Sequence, residues 1–334
     1  MGLGGVGFRL FKRLPAKSTR RSAAARPDHR LPGFFLRLPA FCAAGFIAAV
    51  MAPPAWWEPL NAWTAALTGL LLEAAGLAVR VRGAGLGIEG FHVRVIPECT
   101  PLYPFLLLAA FLLAYPASIR EKSLGLVLGA AFLAAANGLR LALLVLVGRR
   151  LPALFAYAHV YLGQVGMVLC VVGVCGGWLR WVRGARTGRE VSAGFLARVA
   201  AVSGVLFLLW VLANRAYIRG GDLLIGEVAS WWSWRLVLPV ERELYFHTFN
   251  IVTLAGLLLA ARPIALAERL RRLALGLGAL AALHLAVRVG NVFATGLKME
   301  SGLQLSALAA VTAQYTVPFL VWFWIARRQP HAPA

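Results

Sequence analysis

Apolar residues along this chain gather into long runs separated by short gaps rich in cations, the pattern of a chain that crosses a bilayer repeatedly. A spanning helix needs about 20 predominantly apolar residues, with a tolerated range of roughly 17 to 25. Eight runs approach that length, over 36–53, 101–117, 124–147, 157–180, 195–213, 249–261, 273–295 and 305–326. The first and sixth are short and are expected to extend by a few residues. A ninth candidate, "NAWTAALTGLLLEAAGLAV" over 61–79, carries Glu73 in its middle. An unpaired carboxylate at mid-bilayer costs about 2.5 to 3.5 kcal/mol on insertion scales, so this segment is expected to lie on the outer surface as an interfacial helix. Between it and the second span, "AVRVRGAGLGIEGFHVRVIPE" alternates apolar and polar residues around a Gly-rich turn and predicts a small external β-hairpin. The pattern as a whole predicts an all-α polytopic membrane protein of about eight transmembrane helices.

Composition agrees. Of 334 residues 60% are hydrophobic and 14% charged, which excludes an ordinary water-soluble domain. The net charge of +21 would suggest nucleic-acid binding in a soluble chain. Here the cations sit in the gaps between apolar runs, so the partners expected are membrane lipids, and no nucleic acid is expected. Residues 1–33 read as a basic cytoplasmic tail, with eight Lys or Arg in the first 30 positions. A signal peptide is the competing reading, set aside because the basic region is too long. With eight spans both termini lie inside. Twelve cations beyond the tail then face the inside and ten the outside. That excess is small, so the orientation leans on Glu73 and on treating 214–248 as an outer loop. Of the four cysteines, Cys42, Cys170 and Cys175 lie inside apolar runs, and no disulfide framework follows.

Three chemically capable groups fall at one membrane face in this arrangement. Cys99 directly precedes the second span, Arg140 lies in the outer half of the third, and His159 opens the fourth. A guanidinium inside a spanning helix is usually paired or functional, and neighbouring Arg and His side chains lower a thiol pKa, as a cysteine nucleophile requires. Each residue also has a plain reading. Cys99 is a small apolar residue at a helix start, His159 an interfacial hydrogen-bonder, and Arg140 a side chain that snorkels to headgroups. Residue chemistry alone leaves both readings open.

The same residues resemble the exosortase/archaeosortase family of membrane-embedded cysteine transpeptidases. The resemblance rests on an external Cys after a polar hairpin, on "NGLR" as an N-x-x-R helix (Asn137, Arg140), and on "HVYLG" as H-x-x-x-G (His159, Gly163). It covers about residues 40–185, within a core set at 34–190. One departure is that Thr100 and Pro101 follow Cys99, where the family commonly has a small residue and Gly. The resemblance implies a prokaryotic inner-membrane enzyme whose site faces outward. Cys99 would attack a peptide bond in the C-terminal sorting signal of a membrane-anchored protein, a PEP-CTERM-like unit of short motif, spanning helix and basic tail. His159 would shuttle protons, Arg140 stabilise the thiolate or oxyanion, and Asn137 orient Arg140. An unnamed acceptor nucleophile would resolve the thioester, and no metal or cofactor is implied.

Residues 191–334 are not explained by this resemblance. Trp231, Trp232 and Trp234 of the 214–248 loop are expected to anchor at the headgroups, while Glu241, Glu243 and His247 read as solvated or as polar partners. His284, Arg288 and Asn291 form a polar stripe on one helix face. That stripe is expected to pair with Glu241 or Glu243, or else to be a second functional site. This half supports the alternative of a multi-span transporter or lipid-linked-sugar handling protein without a nucleophile, which would tolerate loss of the Cys99 thiol. A purely structural assembly subunit would tolerate loss of Cys99, Arg140 and His159 together.

Overall fold

The computed structural model describes residues 32–183, 191–231, 246–261, 265–296 and 316–320. The expected basic tail therefore lies almost wholly outside the described residues. Four helices make the first bundle: α1 (Pro32–Val50), α3 (Leu102–Ala114), α4 (Ile119–Arg150) and α6 (Met167–Arg183). They close on Phe34, Leu38, Phe46, Leu107, Phe111 and Val171, all fully buried. A second group, α7 (Ala193–Ser230), α8 (Asn250–Leu259) and α9 (Leu266–Gly296), joins it through Val199 and Leu257 of the same core.

Local chemistry sets the helix ends near the site. Ser118 and Glu121 form a reciprocal capping box, with the Ser118 N–H donating to the Glu121 carboxylate at 2.7 Å and the Glu121 N–H to Ser118 Oγ at 3.3 Å. This starts α4 five residues before its apolar run. Helix α3 stops before Pro116, which disfavours helical geometry in the residue preceding it, and Lys122 Nζ donates to the exposed Leu113 carbonyl at 2.8 Å. Helix α2 (Pro54–Ala74) turns Asn61, Thr64, Ala65, Thr68 and Leu72 inward. The Thr64 and Thr68 hydroxyls donate to carbonyls four residues earlier at 2.8 Å, so this polar stripe packs on α4 with its hydroxyls satisfied.

The observed architecture differs from the expected one in three ways. Among the described residues five helices are long and apolar enough to span: Gly33–Val50, Ile119–Arg150, Pro152–Arg183, Ala193–Ser230 and Leu266–Val292. The runs at 101–117 and 249–261 form shorter helices, Leu102–Ala114 and His247–Leu259, and only 316–320 of the last run is described. The hairpin is a three-stranded antiparallel sheet, β1 (Arg80–Arg82), β2 (Gly85–Ile88) and β3 (Phe91–Arg94), in that order. Its turns use Gly83 (φ +54°) and Gly90 (φ +73°), backbone that L side chains rarely adopt. The expected outer loop from 214 is helical as far as Ser230, because α9 holds it. Gly221 lets Leu285 approach, and Asp222 pairs with Arg288.

Candidate active site

Strand β3 runs into a single 3₁₀ turn, Pro97–Cys99, which delivers Cys99 to the start of α3. The Cys99 N–H donates to the Ile96 carbonyl at 2.8 Å and the Thr100 N–H to Pro97 O at 3.1 Å. Thr100 Oγ1 donates to Pro97 O at 2.7 Å and accepts from the Leu102 N–H at 3.4 Å. The Thr-Pro pair after the cysteine thus caps the turn and the helix in ordinary backbone geometry, φ −83° and −75°, without needing a glycine.

Helix α4 passes beneath this turn. Asn137 Nδ2 donates to the Cys99 carbonyl at 2.8 Å, and Asn137 Oδ1 accepts from Arg140 Nη1 at 3.0 Å. Asn137 and Arg140 are 1% and 7% exposed, so one buried amide links the cysteine backbone to the guanidinium a turn away. Burial pushes the Cys99 thiol pKa up. A hydrogen bond from the Ile96 backbone and the Arg140 charge oppose that rise, while Glu98 adds to it.

The third wall follows α4. A 3₁₀ turn, Pro152–Leu154, leads into α5 (Phe155–Tyr161), a π turn (Leu162–Gly166) and then α6. His159 stands on α5 with its ring 6.0 Å from that of Phe155, four residues earlier. Gly163 faces Arg140, where a Cβ would stand 2.9 Å from Nη2, so the glycine admits the guanidinium. Arg140 is within electrostatic range of both Cys99 and His159. Cys99 and His159 line one cavity of about 400 Å³, with Leu141 and Leu144 as apolar floor.

The structure thus gathers Cys99, Asn137, Arg140, His159 and Gly163, five residues of three segments, into one cluster about Arg140, of which Cys99 and His159 line the cavity. Sequence reasoning passed over Ile96 and Phe155. The F-x-x-x-H spacing was a usable signal for Phe155, whereas the Ile96 contribution is a backbone group that carries no residue signature.

The stripe on α9 belongs elsewhere. Arg288 donates to both Asp222 carboxylate oxygens, from Nε at 2.9 Å and Nη2 at 3.1 Å. His284 Nε2 lies 3.0 Å from Asn250 Oδ1, an acceptor only, so Nε2 carries the proton and Nδ1 accepts from Tyr217 Oη at 3.0 Å. Asn291 is half-buried on the same helix. The expected partners Glu241 and Glu243 lie outside the described residues, as do Trp232 and Trp234, while Trp231 is exposed. Asp222 was missed because its segment reads as loop. The cysteines are all free, with Cys42 and Cys175 in the helical core.

A family model described as transmembrane exosortase matches residues 33–176, the stretch that carries all five residues of this cluster. No curated protein and no solved structure matches the chain.

Proposed function

Residues 33–176 belong to the transmembrane exosortase family, and we propose that the protein is a membrane-embedded cysteine transpeptidase of protein sorting with Cys99 as nucleophile. The observation that carries this reading is the buried Asn137 amide, which joins the Cys99 carbonyl to Arg140, behind a cavity that Cys99 and His159 both line. A transporter has no need to lock a thiol-bearing turn to a buried guanidinium.

In this mechanism the resting thiol is protonated, because burial raises its pKa. His159 takes the Sγ proton as the thiolate attacks the carbonyl carbon of the scissile peptide bond. Arg140 stabilises the negative charge that starts on sulfur and moves to the carbonyl oxygen. The C–N bond breaks, the leaving amine receives the proton from His159, and the substrate remains as a thioester on Cys99. An acceptor nucleophile then gives its proton to His159, attacks the thioester and releases the thiol. Asn137 acts as a positioning residue through both of its hydrogen bonds. The substrates are exported proteins ending in a short motif, a spanning helix and a basic tail, cut on the outer face of a prokaryotic inner membrane.

The test is co-expression with reporters that carry such C-terminal tails from the host's own exported proteins. Wild type is expected to shorten a reporter that Cys99→Ala leaves intact, with Arg140→Ala and His159→Ala reduced at least about a hundredfold. Normal processing by Cys99→Ala would return the chain to the transporter reading.

A further inference from the structure

Strand β3 pairs with β2 on one side, and the ladder register determines which of its backbone groups remain on the other. The Val95 N–H donates to Ala84 O at 2.9 Å, and the partners are Leu86 with Val93 and Gly85 with Arg94. In an antiparallel ladder, pairs that exchange bonds alternate with pairs that do not. Ala84/Val95 and Leu86/Val93 therefore exchange bonds, while His92 and Arg94 turn their N–H and C=O groups to the open side. The next residue in that alternation is Ile96, whose C=O accepts the Cys99 N–H at 2.8 Å, so the edge runs directly into the turn that carries the nucleophile. The open edge and the nucleophile thus lie in one line.

That edge borders the cavity. Val93 and Ile96 stand on one bank, Phe155 and His159 on the other, and Leu141 and Leu144 form the floor. The trough is mostly apolar and is bounded along one side by the unspent backbone groups of His92 and Arg94, a sheet edge that suits an extended peptide.

Resting on the reading above, we propose that the substrate's scissile segment binds as an added strand on the open edge of β3, over His92 to Arg94. Three residues at about 3.3 Å each give about 10 Å of pairing, so about three substrate residues are held. Alternate side chains point down onto Leu141 and Leu144 and are apolar. Those between them point to solvent and are unrestricted. Main-chain bonds supply the affinity, and the strand's path brings one carbonyl carbon to Sγ. The ligand is an extended peptide with apolar residues at every second position.

The experiment uses the full chain in membranes and the reporter shortened by wild type. Arg94→Pro deletes one open-edge N–H and leaves every β2–β3 bond in place. Val81→Pro does the same on the far edge of the same sheet, since Val81 of β1 faces away from β2 in this register. Arg94→Pro is expected to process more than about tenfold more slowly than Arg94→Ala, and Val81→Pro to stay within about threefold of wild type, at matched folded amounts by size exclusion. Equal rates for Arg94→Pro and Arg94→Ala, with Cys99→Ala inactive, would overturn strand addition and leave the transpeptidase reading standing. Processing by Cys99→Ala would remove both. Should Arg94→Pro fail to accumulate, a photo-crosslinking residue at His92 or Arg80 in Cys99→Ala decides the matter. Capture of the reporter from His92 and not from Arg80 supports the proposal, and the reverse overturns it.

Discussion

At the scale of single residues, the Cys99 thiol carries opposing influences that a reactivity measurement separates. Burial favours its protonated form, and Arg140 favours the thiolate. The folded-state pKa lies above the ordinary thiol value. The thiolate fraction at neutral pH is therefore below that of a free thiol and grows only as pH passes beyond the ordinary thiol range. Alkylation of Cys99 by a small maleimide, followed by site-resolved mass spectrometry, is expected to be several-fold slower in the folded protein than in the denatured chain at mildly alkaline pH. Arg140→Ala should slow it further, because the opposing charge is gone; faster alkylation in that variant would contradict the assigned electrostatics. Much of this was legible in the sequence. Asn137, Arg140 and His159 stand out as polar residues in apolar helices, and i, i+3 spacing puts the first two on one face. The Asn137 bond to the Cys99 carbonyl joins residues 38 apart and leaves no local trace.

At the scale of elements, the sheet is positioned by how closely it approaches α4. Gly148, near the end of that helix, faces the Phe91 ring of β3 with no room for a methyl group between them. Phe91 also packs edge-on against Phe155, with centroids 5.5 Å apart. Gly148→Ala should therefore move the sheet and the first turn of α5 together. The expected outcome is a loss of about 1 to 3 kcal/mol, the range for overpacking, seen as a lower Tm in detergent, with processing reduced more than in a surface Gly→Ala control. An unchanged Tm would show that Phe91 swings aside freely. The sheet was half legible: alternation and glycines marked strands, but β1 is three residues long and merges with its neighbours in any window. Polarity misled at 214–230, where contacts with α9 impose the helix that the local pattern does not announce.

At the scale of the whole molecule, the C-terminal helices are tied by the Asp222–Arg288 pair, whose side chains are 21% and 7% exposed. Removing one partner of such a pair strands a charge, costing up to about 3 to 5 kcal/mol, whereas removing both costs less. Asp222→Ala and Arg288→Ala are each expected to lower Tm, and the double variant to recover part of the loss; additive losses would mean that the pair contributes nothing as a unit. The core also has a short member. Helix α3 has 13 residues, about 20 Å of helix, against a hydrocarbon thickness of about 30 Å. Cys99 stands beyond one end and the cation-bearing start of α4 beyond the other. Most of α3 is buried in protein, so neighbouring helices rather than lipid meet it. In the proposed reading that shortfall sinks Cys99 below the plane of the headgroups, where a scissile bond would meet it shielded from soluble competitors and reached from within the membrane.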